Sequence, residues 1–158
     1  MILTSYTPQY KSAVDDYLEE FLQNGSSPQG LSARDGYDRE VLGNVQDATF
    51  LYVREEDNRL VGMINIRYGL NAYLYREGGH VGYSVRPSEQ GKGYGKQLLQ
   101  EALAFCTFIG LEQVLVVCEE KNEVSAGVIR ACGGVMEDEI VSEVTGVRLQ
   151  RYWIHNVK

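Results

Sequence analysis

Apolar residues recur along this chain with two periods, and the switches between them divide it into elements. Residues 1–6 are apolar and β-prone, with Pro8 as a break behind them. Between residues 10 and 23, Val14, Tyr17, Leu18, Phe21 and Leu22 return every three or four positions, the stripe that one buried helical face needs. Asn24-Gly25-Ser26-Ser27-Pro28-Gln29-Gly30 has the composition of a loop, and a second, weakly periodic helix is expected over residues 34–43. From Ala48 the period becomes that of strands. Residues 49–54 and 60–68 predict a hairpin about Glu55-Glu56-Asp57-Asn58, whose acids are solvated. Residues 70–77, rich in tyrosine and leucine, fit either a strand extension or a loop over a pocket.

The segment that follows organises the rest. His80-Val81-Gly82-Tyr83-Ser84-Val85 reads as an apolar strand, Gln90-Gly91-Lys92-Gly93-Tyr94-Gly95-Lys96 as a glycine-rich loop, and Leu98, Leu99, Ala102, Leu103, Cys106 and Ile109 as the stripe of an amphipathic helix leaving it. The apolar run 114–118 has the length and continuity of a strand buried on both faces. Asn122 is a good N-cap for a helix over residues 123–132, which Gly133-Gly134 ends. Residues 135–142 and 147–154 predict a second hairpin about 143–146, with Tyr152-Trp153-Ile154 closing the sheet. Strands, then strand-helix-strand-helix, then a hairpin imply one mixed sheet covered by helices, in a single domain over residues 1–158.

Composition narrows the function classes. A chain of 158 residues, 44% hydrophobic, can bury a substantial core without staples. Its formal charge of -7 works against binding nucleic acid or an anionic membrane, since both need a cationic face. Cys106, Cys118 and Cys132 lack the paired spacing of a zinc site and lie in apolar segments, so buried free thiols in a reducing compartment are expected, with no metal. The first residues do not read as a signal peptide, and no apolar run approaches the roughly 20 residues that cross a bilayer. A cytoplasmic location is the implied expectation.

The glycine loop holds the candidate chemistry. Glycines two apart leave backbone N–H groups unshielded at the start of a helix, where those groups lack internal partners and hold partial positive charge. Such a place binds phosphate, and Lys92 and Lys96 suit an anion. A Walker loop would need Ser or Thr after Gly95-Lys96, where Gln97 stands, and the spacing of Gly91, Gly93 and Gly95 is wrong for a Rossmann fingerprint.

Gln90-Gly91-Lys92-Gly93-Tyr94-Gly95, placed after a strand ending Val85-Arg86-Pro87, resembles the Arg/Gln-x-x-Gly-x-Gly/Ala pyrophosphate loop of the GNAT superfamily of acyl-CoA N-acetyltransferases. Asn122 with Ser125 and Ala126, followed by a helix ending in Gly133-Gly134, is similar to that superfamily's Asn-containing turn and closing helix. The resemblance implies an α+β fold of three-layer α/β type. Its mixed central sheet would have about seven strands, splayed between strands 4 and 5, with about four flanking helices. It further implies acetyl-CoA as acyl donor. Backbone N–H groups of Gly91, Lys92, Gly93, Tyr94, Gly95 and Lys96, with Gln90, would hold the diphosphate. Tyr83, Ser84 and Val85 would pair through their backbone with the pantetheine amides, an N–H near Val85 would polarise the thioester carbonyl, and Asn122 and Ser125 would line the arm. Gly82 would mark a bulge or a close backbone approach.

The implied reaction is direct attack by a primary amine of a small molecule or peptide. A base must take the ammonium proton. Glu120 and Glu119, at the mouth of the splayed strands, are the first candidates against the alternative of solvated turn charge, and His80 is the second; His155 is expected to be inert. In many relatives a tyrosine on the closing helix protonates the leaving thiolate, but alignment on Asn122 and Gly133 puts Ile129 there. That departure keeps open a non-catalytic acyl-CoA-binding sensor as the alternative function. A nucleotide-binding module is disfavoured by the motif mismatches, and an acyl-cysteine route through Cys118 by the lack of a neighbouring base. Whether the chain forms a homodimer is left open.

Overall fold

The computed structural model describes residues 1–26 and 42–156. Seven strands run through it: β1 (Ile2–Ser5), β2 (Asp47–Arg54), β3 (Arg59–Arg67), β4 (Val81–Val85), β5 (Gln113–Glu119), β6 (Gly134–Val141) and β7 (Arg148–His155). They form one sheet of order β1-β2-β3-β4-β5-β7-β6. Among the described residues three α-helices flank it: α1 (Lys11–Gln23), α2 (Tyr94–Phe108) and α3 (Glu123–Ala131). This is the mixed α+β sheet expected. The helix expected over 34–43 lies, up to residue 41, outside the described residues, as does the loop expected at 24–30 beyond Ser26.

Strand alternation assigns each sheet face its own helices. Val61, Ile64, Ile66, Val81, Val114, Val116 and Cys118 meet Leu98, Leu99, Ala102 and Cys106 of α2 and Ile129 of α3 on one side. Leu51, Val53, Leu60 and Met63 meet Val14, Tyr17 and Phe21 of α1 on the other. The helix stripe in α1 is narrower than expected: Leu22 is 71% exposed, because Val14, Tyr17 and Phe21 already fill the strip that faces the sheet. Pro8 is the break expected behind β1, and it opens a 3₁₀ turn, Pro8–Tyr10, that leads into α1.

All neighbouring strands are antiparallel except β4 and β5, which share a single matched pair, Val81 with Val116. Just before it, the His80 N–H donates to the Leu115 carbonyl at 2.7 Å. Beyond it the two strands part. Residues 70–77 form neither an extended strand nor an open loop. The Leu74 N–H donates to Asn71 Oδ1, and a five-residue π-helical turn, Leu74–Gly78, ends at Gly79, where φ is 72°. Arg151 of β7 clamps that turn by donating to the Tyr75 and Arg76 carbonyls.

The last hairpin enters the sheet in the opposite order to the one expected. β7 pairs along its whole length with β5, from Gln113–His155 to Glu119–Leu149, so β6 is the outer strand and Tyr152-Trp153-Ile154 lies inside the sheet. The acids Glu137, Asp138 and Glu139 and a register shift between Met136 and Asp138 fit β6 for an edge, where charge and irregularity discourage further pairing.

Candidate active site

Residues alternate across β4 and its continuation, so each face has a separate task. Tyr83 and Val85 point towards α2 and α3. The Tyr83 hydroxyl lies 3.2 Å from Ser125 Oγ, and burial pushes the phenol up to about 12, so it stays protonated at neutral pH. Ser84, Arg86 and Ser88 face α1 instead. Ser84 Oγ is 2.8 Å from the Tyr17 hydroxyl. The buried Arg86 guanidinium donates to the Leu60 carbonyl and to Asp16 and lies over the Tyr17 ring, while the Ser88 N–H and hydroxyl both donate to Glu20. Against the opposing effect of desolvation, the bonds from Ser88 and one from Arg86 Nη1 at 3.4 Å hold the Glu20 carboxyl below its ordinary range.

From there the chain makes a 3₁₀ turn, Pro87–Glu89, and enters the glycine loop. Gln90 Nε2 donates back to the Val85 carbonyl at 3.0 Å, tying the loop to the strand rather than reaching outward. Gly91 and Gly93 have φ of 80° and 87°, which L residues rarely adopt, and a Cβ on either would meet nothing within 4 Å. Gly93 is the N-cap of α2 and supplies no side-chain cap, so the first helical amides are left without a capping side chain from it. A Cβ on Gly95 would lie 3.7 to 3.9 Å from Val128, Val85 and Tyr83, so the helix start sits close to β4 and α3. This open cradle of amides fits a diphosphate. Lys96 is exposed in the first turn, whereas Lys92 is turned back, its Nζ 3.3 Å from both Glu89 oxygens.

Between the parting strands, Gly82 does not form a bulge. It pairs in register with Asn65, and the close approach is made by Arg67, whose Nη2 would lie 3.1 Å from a Cβ there while its Nη1 donates to the Gly78 and Gly79 carbonyls. Asn122 Oδ1 accepts the Ser125 N–H at 3.0 Å and so caps α3 at the cleft. Cys118 is buried beside Ser125. Desolvation pushes its thiol up to about 11, which leaves little thiolate for an acyl-cysteine. Ile129 is fully buried in the core and offers no proton.

The candidate bases have different surroundings. Glu119 and Glu120 are both exposed at the end of β5. Glu120 Oε2 is 3.3 Å from Arg148 Nε, whereas among the described residues Glu119 has no ion pair. His80 is buried far from that end, and its Nδ1 accepts the Leu115 N–H at 2.9 Å. Desolvation, reinforced by Arg67, lowers its pKa to about 4, so it is neutral at pH 7 and braces the β4–β5 contact. His155 is exposed and shares a hydrogen bond with Gln113.

The depressed imidazole makes stability pH-dependent. The unfolded side chain protonates near 6.5 and the folded one near 4, so the unfolded state binds more protons in between and stability falls as pH drops through that window. From pH 7 to pH 5 the loss from this group is about 2 kcal/mol. His80→Asn keeps an acceptor for the Leu115 N–H and removes the titration. Its urea midpoint should therefore fall less over that interval than the wild-type midpoint; equal falls would show an imidazole that titrates normally.

Sequence reasoning missed Arg54 and Glu89 beside the loop. A cleft of about 390 Å³ lined by Gly43, Asn44, Val45, Gln46, Asp47 and Tyr68 lies at the opposite end of the sheet. Among the described residues no His, Cys, Asp and Glu are grouped as metal ligands, and no helix is long and apolar enough to cross a membrane.

Residues 10–133 match the model of the Acetyltransferase (GNAT) family. A relative from Bacillus subtilis (strain 168), described as Uncharacterized N-acetyltransferase YfmK, is 32% identical over 77 residues, 49% of this chain and 48% of that one. The match thus spans about half the length of the curated relative. Among solved structures, the ribosomal-protein-S5-alanine acetyltransferase from Vibrio fischeri superposes with a TM-score of 0.74 at 18% identity, over 98% of this chain and 92% of that one. A spermidine N-acetyltransferase SpeG chimera from Vibrio cholerae and hSSAT gives 0.70 at 18% identity, over 99% and 96%. At these identities the two structures speak for the fold.

Proposed function

The chain belongs to the acetyltransferase (GNAT) family, and from that membership we propose that it is an acetyl-CoA-dependent N-acetyltransferase acting on a primary amine of a small molecule or peptide. One observation supports this above the others: the strand that leads through the glycine loop to the uncapped start of α2 is the strand that parts from β5 after a single matched pair. A diphosphate held at those amides aims the rest of its molecule into the parting. Acetyl-CoA would supply the activated thioester there.

The chain's own groups then have defined tasks. The backbone of Tyr83, Ser84 and Val85 aligns the pantetheine arm, and an N–H near Val85 faces the charge that develops on the carbonyl oxygen. Asn122 and Ser125 line the arm at the start of α3. Glu119 is the proposed proton acceptor, because Glu120 is engaged by Arg148. The described relatives act on spermidine and on a ribosomal-protein alanine, and a net charge of -7 steers cationic amines towards this chain. A polyamine or a peptide amine is accordingly the proposed acceptor class. A donor-binding sensor without turnover is the second reading, favoured by the apolar Ile129 on α3.

The test is release of free thiol from acetyl-CoA across polyamines, amino acids, aminoglycosides and peptide N-termini. Thiol release dependent on one amine class is expected, with Glu119→Gln lowering kcat roughly a hundredfold and altering the pH profile. Donor binding without thiol release from any amine would favour the sensor, and an unchanged Glu119→Gln profile would remove Glu119 as the base.

A further inference from the structure

The donor loop is held at both ends by one guanidinium. Arg54, the last residue of β2, donates through Nη1 to both Glu89 oxygens, at 2.8 and 3.1 Å, and to the Tyr94 hydroxyl at 3.1 Å. Glu89 closes the 3₁₀ turn before the loop and Tyr94 is the first residue of α2, so the four residues 90–93 are bracketed by groups on a single side chain. Arg54 is itself oriented by a two-point pair with Asp57, at 2.9 and 2.7 Å, within the β2–β3 turn. Its Nε and Nη2 therefore go to Asp57 while Nη1 serves the loop.

Glu89 is the unusual partner. Its side chain is only 5% exposed, a place where a carboxylate persists only if paired. Arg54 pairs it most closely and holds its carboxyl below the ordinary range; Lys92 reaches the same oxygens at 3.3 Å and Arg59 at 3.7 Å. The planar fork of arginine can serve Asp57, Glu89 and Tyr94 in one arrangement. The single ammonium of lysine cannot.

We propose that Arg54 is a positioning residue for the donor: by gripping Glu89 and Tyr94 it sets the spacing of the loop amides at which the diphosphate is held. This rests on the acetyl-CoA reading of the loop. This role gives Arg54 no contact with the thioester or the amine. Its influence should therefore be confined to donors that have the diphosphate.

Arg54→Lys preserves the charge and removes the fork. Calorimetry on the intact chain should give an acetyl-CoA Kd about tenfold weaker than wild type, a change of about 1.4 kcal/mol. With S-acetyl-pantetheine, which lacks diphosphate and nucleotide, kcat/KM with the best amine should change less than about twofold, a selectivity that general loosening of the fold would not produce. Tyr94→Phe cuts one arm of the grip and should weaken acetyl-CoA about threefold at unchanged melting temperature. An Arg54→Lys Kd equal to wild type, or equal losses with both donors, overturns the positioning role and leaves the acetyl-CoA reading standing. No heat from the folded wild-type chain with acetyl-CoA overturns both.

Discussion

Gly93→Asp is expected to leave the protein folded and to weaken acetyl-CoA binding at least a hundredfold. Gly93 caps α2 with φ of 87°, and a Cβ there meets nothing within 4 Å, so a new side chain clashes with no neighbour. Aspartate tolerates a left-handed backbone better than most residues, at a cost of about 1 kcal/mol. A carboxylate at the positive end of α2 offsets part of that by about 0.3–1 kcal/mol. The same carboxylate competes for the amides proposed to hold the diphosphate, and it repels the diphosphate at close range. At an effective dielectric constant of about 20 to 40, like charges roughly 5 Å apart cost about 2–3 kcal/mol, and the diphosphate bears more than one. Calorimetry and a thermal melt of the same sample separate the two effects. A folded variant with Kd within about threefold of wild type would place the donor elsewhere.

Gly79→Ala is expected to be the most destabilising of these substitutions. Gly79 has φ of 72° and ψ of -176°, a region that essentially only glycine occupies, and a Cβ there would lie 2.6 Å from the Leu115 carbonyl oxygen. That oxygen accepts the His80 N–H, so neither atom can retreat without opening β4 and β5 next to their single matched pair. Backbone strain of about 1–3 kcal/mol and the lost contact together suggest about 3–4 kcal/mol. For a domain of this size that lowers the melting temperature by about 10 °C. A loss under about 1 kcal/mol in urea unfolding would mean that this contact is not a constraint on the cleft.

Why some of this was legible in the sequence and some was not follows from the range of the interactions. The strand, glycine loop and helix from His80 to Phe108 are specified locally, by alternation, by glycines where φ is positive and by a stripe of period 3.6, and all three form as expected. The cap at Asn122 is local too. Arg54 and Glu89 are 35 positions apart, and nothing in either neighbourhood signals that one will bury the other. The place of β7 inside the sheet also escaped, because alternation tells which face a residue lines but not which strand lies beside it. At Gly82 the sequence left a bulge or a close backbone approach open, and the group that comes close is the guanidinium of Arg67 from β3, which alternation along one strand does not reveal. The proton acceptor is the least legible part. Glu119 and Glu120 are adjacent exposed acids whose difference lies in Arg148, a residue on another strand.

The claim underlying these expectations is that the amides opening α2 hold the diphosphate of acetyl-CoA. Titrating acetyl-CoA into the intact, folded protein in a calorimeter tests it most directly. The account predicts a single saturable site, competed by CoA and left alone by ATP and NAD. A folded sample that gives no heat with acetyl-CoA, or one in which ATP or NAD displaces it, would contradict the account.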